Sequence, residues 1–456
     1  MSKKRPVAID LFAGAGGLTL GFEQAGFDVL ASVEYDAVHA AVHEFNFPQT
    51  ATVCADVSRL TSERLRAAAA EGWARHGRKG RLSEIDAIFG GPPCQGFSFI
   101  GKRLVDDHRN QLVFHFLRVI AEIQPKYFVM ENVPGMLAGG HSGILQALIR
   151  EFRDIGYNMV LPVQVLNAAE YGVPQARRRL FLLGARADQP LPQYPAATCR
   201  PPQKNAKAPV RDPELPLQFD ALPTGPTVWD AIGDLPDLDS FDELWETDEV
   251  TLTAAQLRSL ERASSAYAAT LRHPEADPND LSHPRSWEPN VLTSSARTEH
   301  TALSVARFSD TEPGETEPVS RFYRLDPRGL CNTLRAGTGS ERGAYTSPRP
   351  IHPKLPRVIS VREAARLHSF PDWFRLHRTK WHGFRQVGNS VPPLLARAVA
   401  RQIVAALGAK PERPEGAISL GDPRLLSYRM SEGALHFGVD PSEVPAPRQR
   451  HVDGSA

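Results

Sequence analysis

The apolar run Ile85-Asp86-Ala87-Ile88-Phe89 stops against Gly90-Gly91-Pro92-Pro93-Cys94-Gln95-Gly96-Phe97-Ser98. The run has the length and content of a buried strand. Paired glycines followed by paired prolines continue neither strand nor helix, so the chain must turn there. The turn holds out one cysteine at the end of a strand. In open α/β sheets, ligands and chemistry gather at the carboxyl ends of strands. Cys94 is therefore a candidate nucleophile, and the rest of the chain has to build the sheet that carries it.

The N-terminal segment supplies a second constraint. Residues 7–12 read as a strand that enters Ala13-Gly14-Ala15-Gly16-Gly17 and then an amphipathic helix over 18–25. Strand, glycine turn and helix N-terminus together suit a nucleotide-like cofactor, because glycines let the backbone approach a ligand. Thr19 stands where the third glycine of the dinucleotide fingerprint would fall, so a plain tight βα turn is an equal reading. A second strand, 29–33, ends at Glu34-Tyr35-Asp36. An acidic residue there can bind ribose hydroxyls or simply charge a helix N-terminus. A helix over 37–45 and a short strand over 52–54 follow. Asp56 then either accepts from an adenine amino group or caps a helix expected over 58–71.

Beyond the cysteine turn, 97–109 lacks periodicity and reads as a loop suited to a lid. A helix is expected over 110–123, then a strand over 127–130 that delivers Glu131 and Asn132 before Pro134. A helix over 144–155 and a strand over 160–165 lead to Gln175-Ala176-Arg177-Arg178-Arg179 and a strand over 180–183. Strand alternation puts Arg177 and Arg179 on one face. A solvated basic edge is the competing reading.

The 456 residues allow two or three domains, and 41% apolar with 23% charged residues is an ordinary globular balance. No run approaches the ~18 apolar residues of a membrane span, and no secretory segment precedes the first strand. Four scattered cysteines suit neither a disulfide framework nor a Cys-x-x-Cys zinc site. A reducing cytoplasm, no bound metal and no membrane partner are the expectations. The net charge of +1 is uninformative, but 212–249 is mostly acidic and 342–413 mostly basic. A local basic face can hold phosphates; two solvated faces of opposite sign would look the same. After Gly184 the chain turns Pro-rich, with one helical pattern over 251–272 and an irregular stretch over 273–350. A short strand over 357–360, a helix over 361–368 and a helix over 394–407 restore regular structure, and the tail beyond Ala409 reads as loose.

Taken in order, these stretches resemble the DNA (cytosine-5)-methyltransferase family. Asp10-Leu-Phe-Ala-Gly-Ala-Gly-Gly17 is similar to its cofactor motif and Pro92-Pro-Cys-Gln-Gly-Phe-Ser98 to its nucleophile motif. Glu131-Asn132-Val133 and Gln175-x-Arg177-x-Arg179 resemble its two target-base motifs. Residues 362–371 resemble the element supporting its recognition domain, and 388–393 its closing motif. One departure is His368, where the family often has Gln; no functional consequence is expected of it.

The resemblance implies an α/β fold: a Rossmann-like S-adenosylmethionine-dependent methyltransferase domain with a smaller, irregular target-recognition domain. The division expected is catalytic 1–189, target recognition 190–355, a closing segment 356–408 and a C-terminal tail 409–456. Cys94 would attack cytosine C6, Glu131 would protonate N3, and Arg177 and Arg179 would hold the base carbonyl O2 and the active-site loop. Asn132, the Pro93 backbone and Gln95 would frame the base. S-adenosylmethionine, leaving as S-adenosylhomocysteine, would meet Phe12, Ala13, Gly14, Gly16, Gly17, Leu18, Glu34, Tyr35, Asp56, Val57, Pro93 and Leu112, with Asn389 and Ser390 completing the pocket.

Duplex DNA is the implied partner, with one cytosine extruded from the stack. Ser98, Lys102 and Arg109 would lie near phosphates. Thr333, Arg335, Arg342 and Arg349 are candidates for reading bases, though at any one of these arginines a phosphate contact or solvent exposure outweighs guanine readout. A companion restriction endonuclease and a monomeric state are further expectations. Three other readings remain: a tRNA cytosine methyltransferase, whose Cys-Phe-Thr signature is not found here, a non-catalytic DNA-binding regulator on the same scaffold, and a small-molecule methyltransferase, which leaves 190–355 without a purpose.

Overall fold

The computed structural model describes residues 5–93, 111–137, 142–202, 221–337 and 349–440. The first half alternates strand and helix: β1 (Val7–Leu11), α1 (Gly17–Gln24), β2 (Asp28–Glu34), α2 (Ala37–Asn46), β3 (Ala51–Cys54), α3 (Ser62–Arg75), β4 (Ala87–Gly90), α4 (Gln111–Ile123) and β5 (Tyr127–Asn132). After α5 (Ser142–Asp154) come β6 (Tyr157–Met159), β7 (Gln164–Asn167) and β8 (Arg178–Arg186). Helical crossovers force the first five strands parallel, whereas β8 returns antiparallel to β5. The sheet order is β3-β2-β1-β4-β5-β8-β6, with β7 also on β8. The order reverses between β1 and β4, and the crevice at their carboxyl ends is where such a sheet binds ligands.

Both faces of the sheet are covered, which is why β1 is buried along its whole length. Ile9, Leu11, Ile88, Phe128 and Leu180 pack beneath α3, α4 and α5. Ala8, Phe89, Val129 and Phe181 face Phe22 of α1 and Leu395, Val399 and Ile403.

The later helices are α6 (Val228–Ile232), α7 (Ala254–Ala263), α8 (Ala266–Arg272), α9 (Ala302–Asp310), α10 (Val361–Leu367), α11 (Lys380–Asn389), α12 (Pro393–Ala406) and α13 (Met430–His436). Val228, Leu325 and Leu334 share one apolar cluster with Leu20, Val42 and Phe45 of α1 and α2. The irregular region is thus packed directly on α1 and α2. Fully buried Arg366 ties it to α10 through Asp234 at 2.5 Å and Asp372 at 2.6 Å.

Several expected boundaries are corrected. Residues 58–71 are not one helix: a short 3-10 turn, Val57–Arg59, precedes α3, whose N-cap is Thr61. The strand expected over 160–165 is split into β6 and β7, with Pro162 between them. The pattern over 251–272 is two helices, because Ser265 leaves helical geometry and caps the second by accepting from Ala268 N. Residues 357–360 make only an isolated bridge, Ile351 to Val358. The tail beyond Ala409 is docked as far as it is described: Leu425 and Leu426 are buried, Gly421 N donates to Phe45 O, and α13 lies on α2.

Candidate active site

At the end of β1 the backbone turns sharply: Phe12 takes a positive φ of 63°. A non-glycine residue held there costs of order 1–3 kcal/mol and marks a position fixed by its surroundings. Gly14 N donates to Glu34 Oε2 and Asp36 N donates to Glu34 Oε1, both at 2.8 Å. The carboxylate closing β2 is thereby clamped across the crevice from the glycine turn. Burial pushes its pKa above the usual range.

A Cβ on Gly14 would meet open space, whereas one on Gly17 would lie 2.4 Å from Val391 O and 2.9 Å from Ser390 Cβ. The N-terminus of α1 therefore touches the segment after α11 at a distance only glycine permits, while Gly14 leaves the crevice clear. Tyr35 is 42% exposed beside it. Asn389 is exposed, and Ser390 Oγ donates to Gln386 O at 2.7 Å. Asp56 Oδ1 accepts from Ser58 N at 2.8 Å, so the capping reading holds for that oxygen. Val57 is buried in the core, and its carbonyl accepts from Arg118. Leu112 is half-buried on α4.

Thr19, the residue that breaks the dinucleotide fingerprint, has a part of its own. Its hydroxyl donates to Asp10 Oδ2 at 2.6 Å and lies 3.0 Å from His43 Nε2. Burial drives the Asp10 carboxyl well above its usual range and the His43 imidazole down to about 3. This buried chain beneath the glycine turn links β1, α1 and α2. A lone Thr, Asp and His scattered over three elements give no periodic signal that could have revealed it.

The second cluster sits where β5 and β8 run side by side. β5 continues through Glu131 and Asn132, opposite Phe181 and Leu180. Glu131 Oε1 pairs with Arg179 Nε at 2.8 Å. Burial pushes the Glu131 carboxyl up, although Arg179 and Arg177 pull the other way. A Cβ on Gly91 would fall 2.7 Å from Glu131 Oε2, so the turn after β4 rests directly on this carboxylate. Asn132 Nδ2 donates to Pro92 O at 3.2 Å and holds the same turn. Pro93 is exposed beyond it. Cys94, Gln95, Ser98, Lys102, Arg109 and Arg342 lie outside the described residues.

Arg177 and Arg179 both lie near Glu131 but have different hydrogen-bond partners. Arg177 is 1% exposed and donates to Leu334 O and Gly388 O, each at 2.9 Å. Its two terminal nitrogens join this stretch of chain to two distant segments, while its buried Nε meets no acceptor among the described residues. Thr333 Oγ1 donates to Ala176 O at 2.6 Å, which anchors the same junction. Arg335 is exposed next to it. Arg349 is half-buried: it donates to Thr298 Oγ1 at 3.2 Å and stacks over Phe384 at 5.1 Å.

Among the described residues one trio, Asp28, His76 and His283, has ligand atoms close enough for a metal ion. Arg5 and Arg78 already bond the Asp28 carboxylate, and two guanidinium charges oppose a further cation there.

A cofactor crevice at the β1/β4 reversal, next to a strand-end carboxylate and arginine, is the arrangement of a Rossmann-like methyltransferase. The family model for C-5 cytosine-specific DNA methylase matches residues 7–405. The chain is 53% identical over 452 residues to the type II methyltransferase M.XorII of Xanthomonas oryzae pv. oryzae, covering 99% of this chain and 97% of that one. It is 31% identical to the type II methyltransferase M.AgeI of Thalassovita gelatinovora over 88% of this chain and 99% of the relative. A crystal structure of an Escherichia coli prophage protein, described as a DNA modification methyltransferase, matches with a TM-score of 0.65 and 33% identity over 88% of this chain and 99% of that one. The chain belongs to the C-5 cytosine-specific DNA methylase family. It is a DNA (cytosine-5)-methyltransferase, and membership implies DNA as substrate and S-adenosylmethionine as methyl donor.

Proposed function

We propose that this chain methylates one cytosine within a short duplex sequence through a covalent bond from Cys94 to C6, the base having been flipped out of the helix. The observation that carries this is the Glu131–Arg179 pair, set against the turn that leads into Cys94. C5 of cytosine is a poor nucleophile. Addition of the Cys94 thiolate at C6, with proton transfer from the Glu131 carboxyl to N3, makes C5 an enamine carbon. The upward push of burial on Glu131 favours the protonated form that this step needs. Arg179 then serves the O2 edge, and Asn132 holds the turn. S-adenosylmethionine, when bound, supplies an electrophilic methyl group to C5. Loss of the C5 proton, release of the Cys94 thiolate and return of the N3 proton to Glu131 leave 5-methylcytosine and the starting enzyme.

The crevice suits the donor. Glu34 presents a clamped carboxylate to ribose hydroxyls, Tyr35 an exposed ring to adenine, and Gly14 an open approach. Phe12, Ala13, Gly16, Gly17, Leu18, Asp56, Leu112, Asn389 and Ser390 surround that space in this reading, and Val57 contributes backbone alone. Residues 190–355 act as the target-recognition region, with Arg335 presented to DNA; the type II relatives support a companion endonuclease acting on the same sequence, and we take the enzyme as a monomer in the cytoplasm. No described helix is long and apolar enough to cross a membrane.

Methylation sequencing of DNA from a methylation-deficient host tests the reading. The intact chain should mark one short sequence context and Cys94→Ala none. Equal marking by both would remove Cys94 as nucleophile, and marking of tRNA alone would move the substrate to RNA.

A further inference from the structure

We infer that His368 is a positioning residue: it locks the cofactor-pocket wall at Ser390 to the strand that carries the base-binding arginine. The inference rests on the methyltransferase reading above. His368 is fully buried, and its ring is stacked on Phe370 at 5.8 Å with an interplanar angle of 14°. Its two ring nitrogens face partners of opposite kind. Nε2 lies 2.9 Å from Ser390 O, an acceptor only, so this nitrogen carries the proton. Nδ1 lies 3.0 Å from Gln175 Nε2 and accepts from it.

The Gln175 amide has one orientation available to it. Its nitrogen faces Leu367 O and His368 Nδ1, and its oxygen accepts from Leu334 N at 3.1 Å. The neutral Nε2–H tautomer of His368 is therefore dictated by both neighbours at once. A proton on Nδ1 would face an amide N–H and add charge near Arg177.

These bonds connect three parts of the site that are distant in sequence. Gln175 and Arg177 precede Arg179 on one chain segment. Leu334 is held by both of them, through its N–H and its carbonyl. Ser390 and Val391 form the wall against which Gly17 is closed. His368 bonds this knot to Ser390 itself, two residues beyond the Gly388 carbonyl that Arg177 holds. Two polar ends at this spacing are also offered by glutamine, whose Nε2 can donate to Ser390 O while its Oε1 accepts from Gln175. An aliphatic side chain offers neither.

The expectation of no consequence at position 368 is thus replaced by a specific requirement for a donor and an acceptor in one side chain. The test is equilibrium binding of S-adenosylhomocysteine, followed by kinetics in the sequence context found by sequencing. His368→Leu should weaken S-adenosylhomocysteine at least about 10-fold and raise KM for the methyl donor similarly, with kcat at saturation within about 3-fold of the parent. His368→Gln should bind within about 3-fold of the parent. If His368→Leu does not fold, His368→Asn, too short to span both partners, carries the same expectation. Unchanged affinity in the Leu or Asn variant, a loss confined to kcat, or failure of Gln to restore binding would each overturn the assignment. No binding by the parent chain would instead overturn the methyltransferase reading beneath it.

Discussion

Replacing Arg177 by Met removes a buried guanidinium whose two terminal nitrogens hold Leu334 O and Gly388 O. Each carbonyl would lose a charged donor in a site with no water access, at about 1–3 kcal/mol apiece. Relief of the buried charge offsets part of this, because burial lowers the Arg177 pKa well below its usual value, and Arg179 adds to that effect. A net loss of about 3 kcal/mol is expected. With an unfolding entropy of about 2.1 cal/mol/K per residue, a chain of this size loses about 3 °C in Tm. Gly388 leads into Asn389 and Ser390, so cofactor affinity should fall as well. Arg179→Met is the matched comparison: Arg179 is on the open side and pairs with Glu131, so Tm should hold within about 2 °C while kcat falls about 100-fold or more. Differential scanning calorimetry, cofactor binding and single-turnover methylation separate the two. An Arg177→Met chain that melts and binds cofactor like the parent but has lost turnover would refute the division of labour, because its guanidinium would then be acting on the base.

Other outcomes follow from the same geometry. Glu131→Gln should fold normally and lower kcat by about 100- to 10,000-fold, the range of a lost general acid. In the parent enzyme the Glu131-dependent limb of kcat/KM should decline as pH rises through its elevated pKa, and a flat alkaline limb that matches the Gln variant would count against proton donation. Gly17→Ala places a methyl group 2.4 Å from Val391 O; KM for the methyl donor should rise about 10-fold, and an unchanged KM would show that this contact does not shape the pocket. Glu363 is buried, which raises its pKa, but Arg357 outweighs this and holds it down at about 2. Its contribution of about 3 kcal/mol is present above the unfolded carboxylate pKa and is lost as pH falls toward 2. Glu363→Gln should flatten that acid-side loss in a urea-midpoint series, and an unaltered pH dependence would place the loss elsewhere.

The relatives and the family model favour DNA over the tRNA and regulator readings, since they are methyltransferases matched along nearly the whole chain. The further role of His368 rests on the methyltransferase reading and has its own binding test.

Local chemistry alone determined a good deal. Glycines and prolines terminate strands wherever they occur, so the turns at 13–17 and 90–93 were legible without any knowledge of packing. Apolar runs located β1, β2, β4 and β5 to within a residue or two, because strands buried on both faces are predominantly apolar. The acidic ends of β2 and β5 followed from the same reasoning.

Tertiary structure decided what each polar group does. Arg177 and Arg179 are two residues apart and chemically identical, yet one meets carbonyls of Leu334 and Gly388 and the other meets Glu131. Nothing within either residue distinguishes them; the partners arrive from more than 150 positions further along, by |i−j| of 157 and 211 for Arg177. The same holds for His368, whose tautomer is chosen by Gln175 and Ser390, and for Thr19, Asp10 and His43. The segment 409–440 looked loose because the tail beyond Ala409 is rich in Pro and Arg, yet Leu425 and Leu426 find a surface already formed by α2. Sequence periodicity reports the face an element buries. It does not report which distant group will satisfy a buried charge, because that pairing exists only after the sheet and its returning segments have closed.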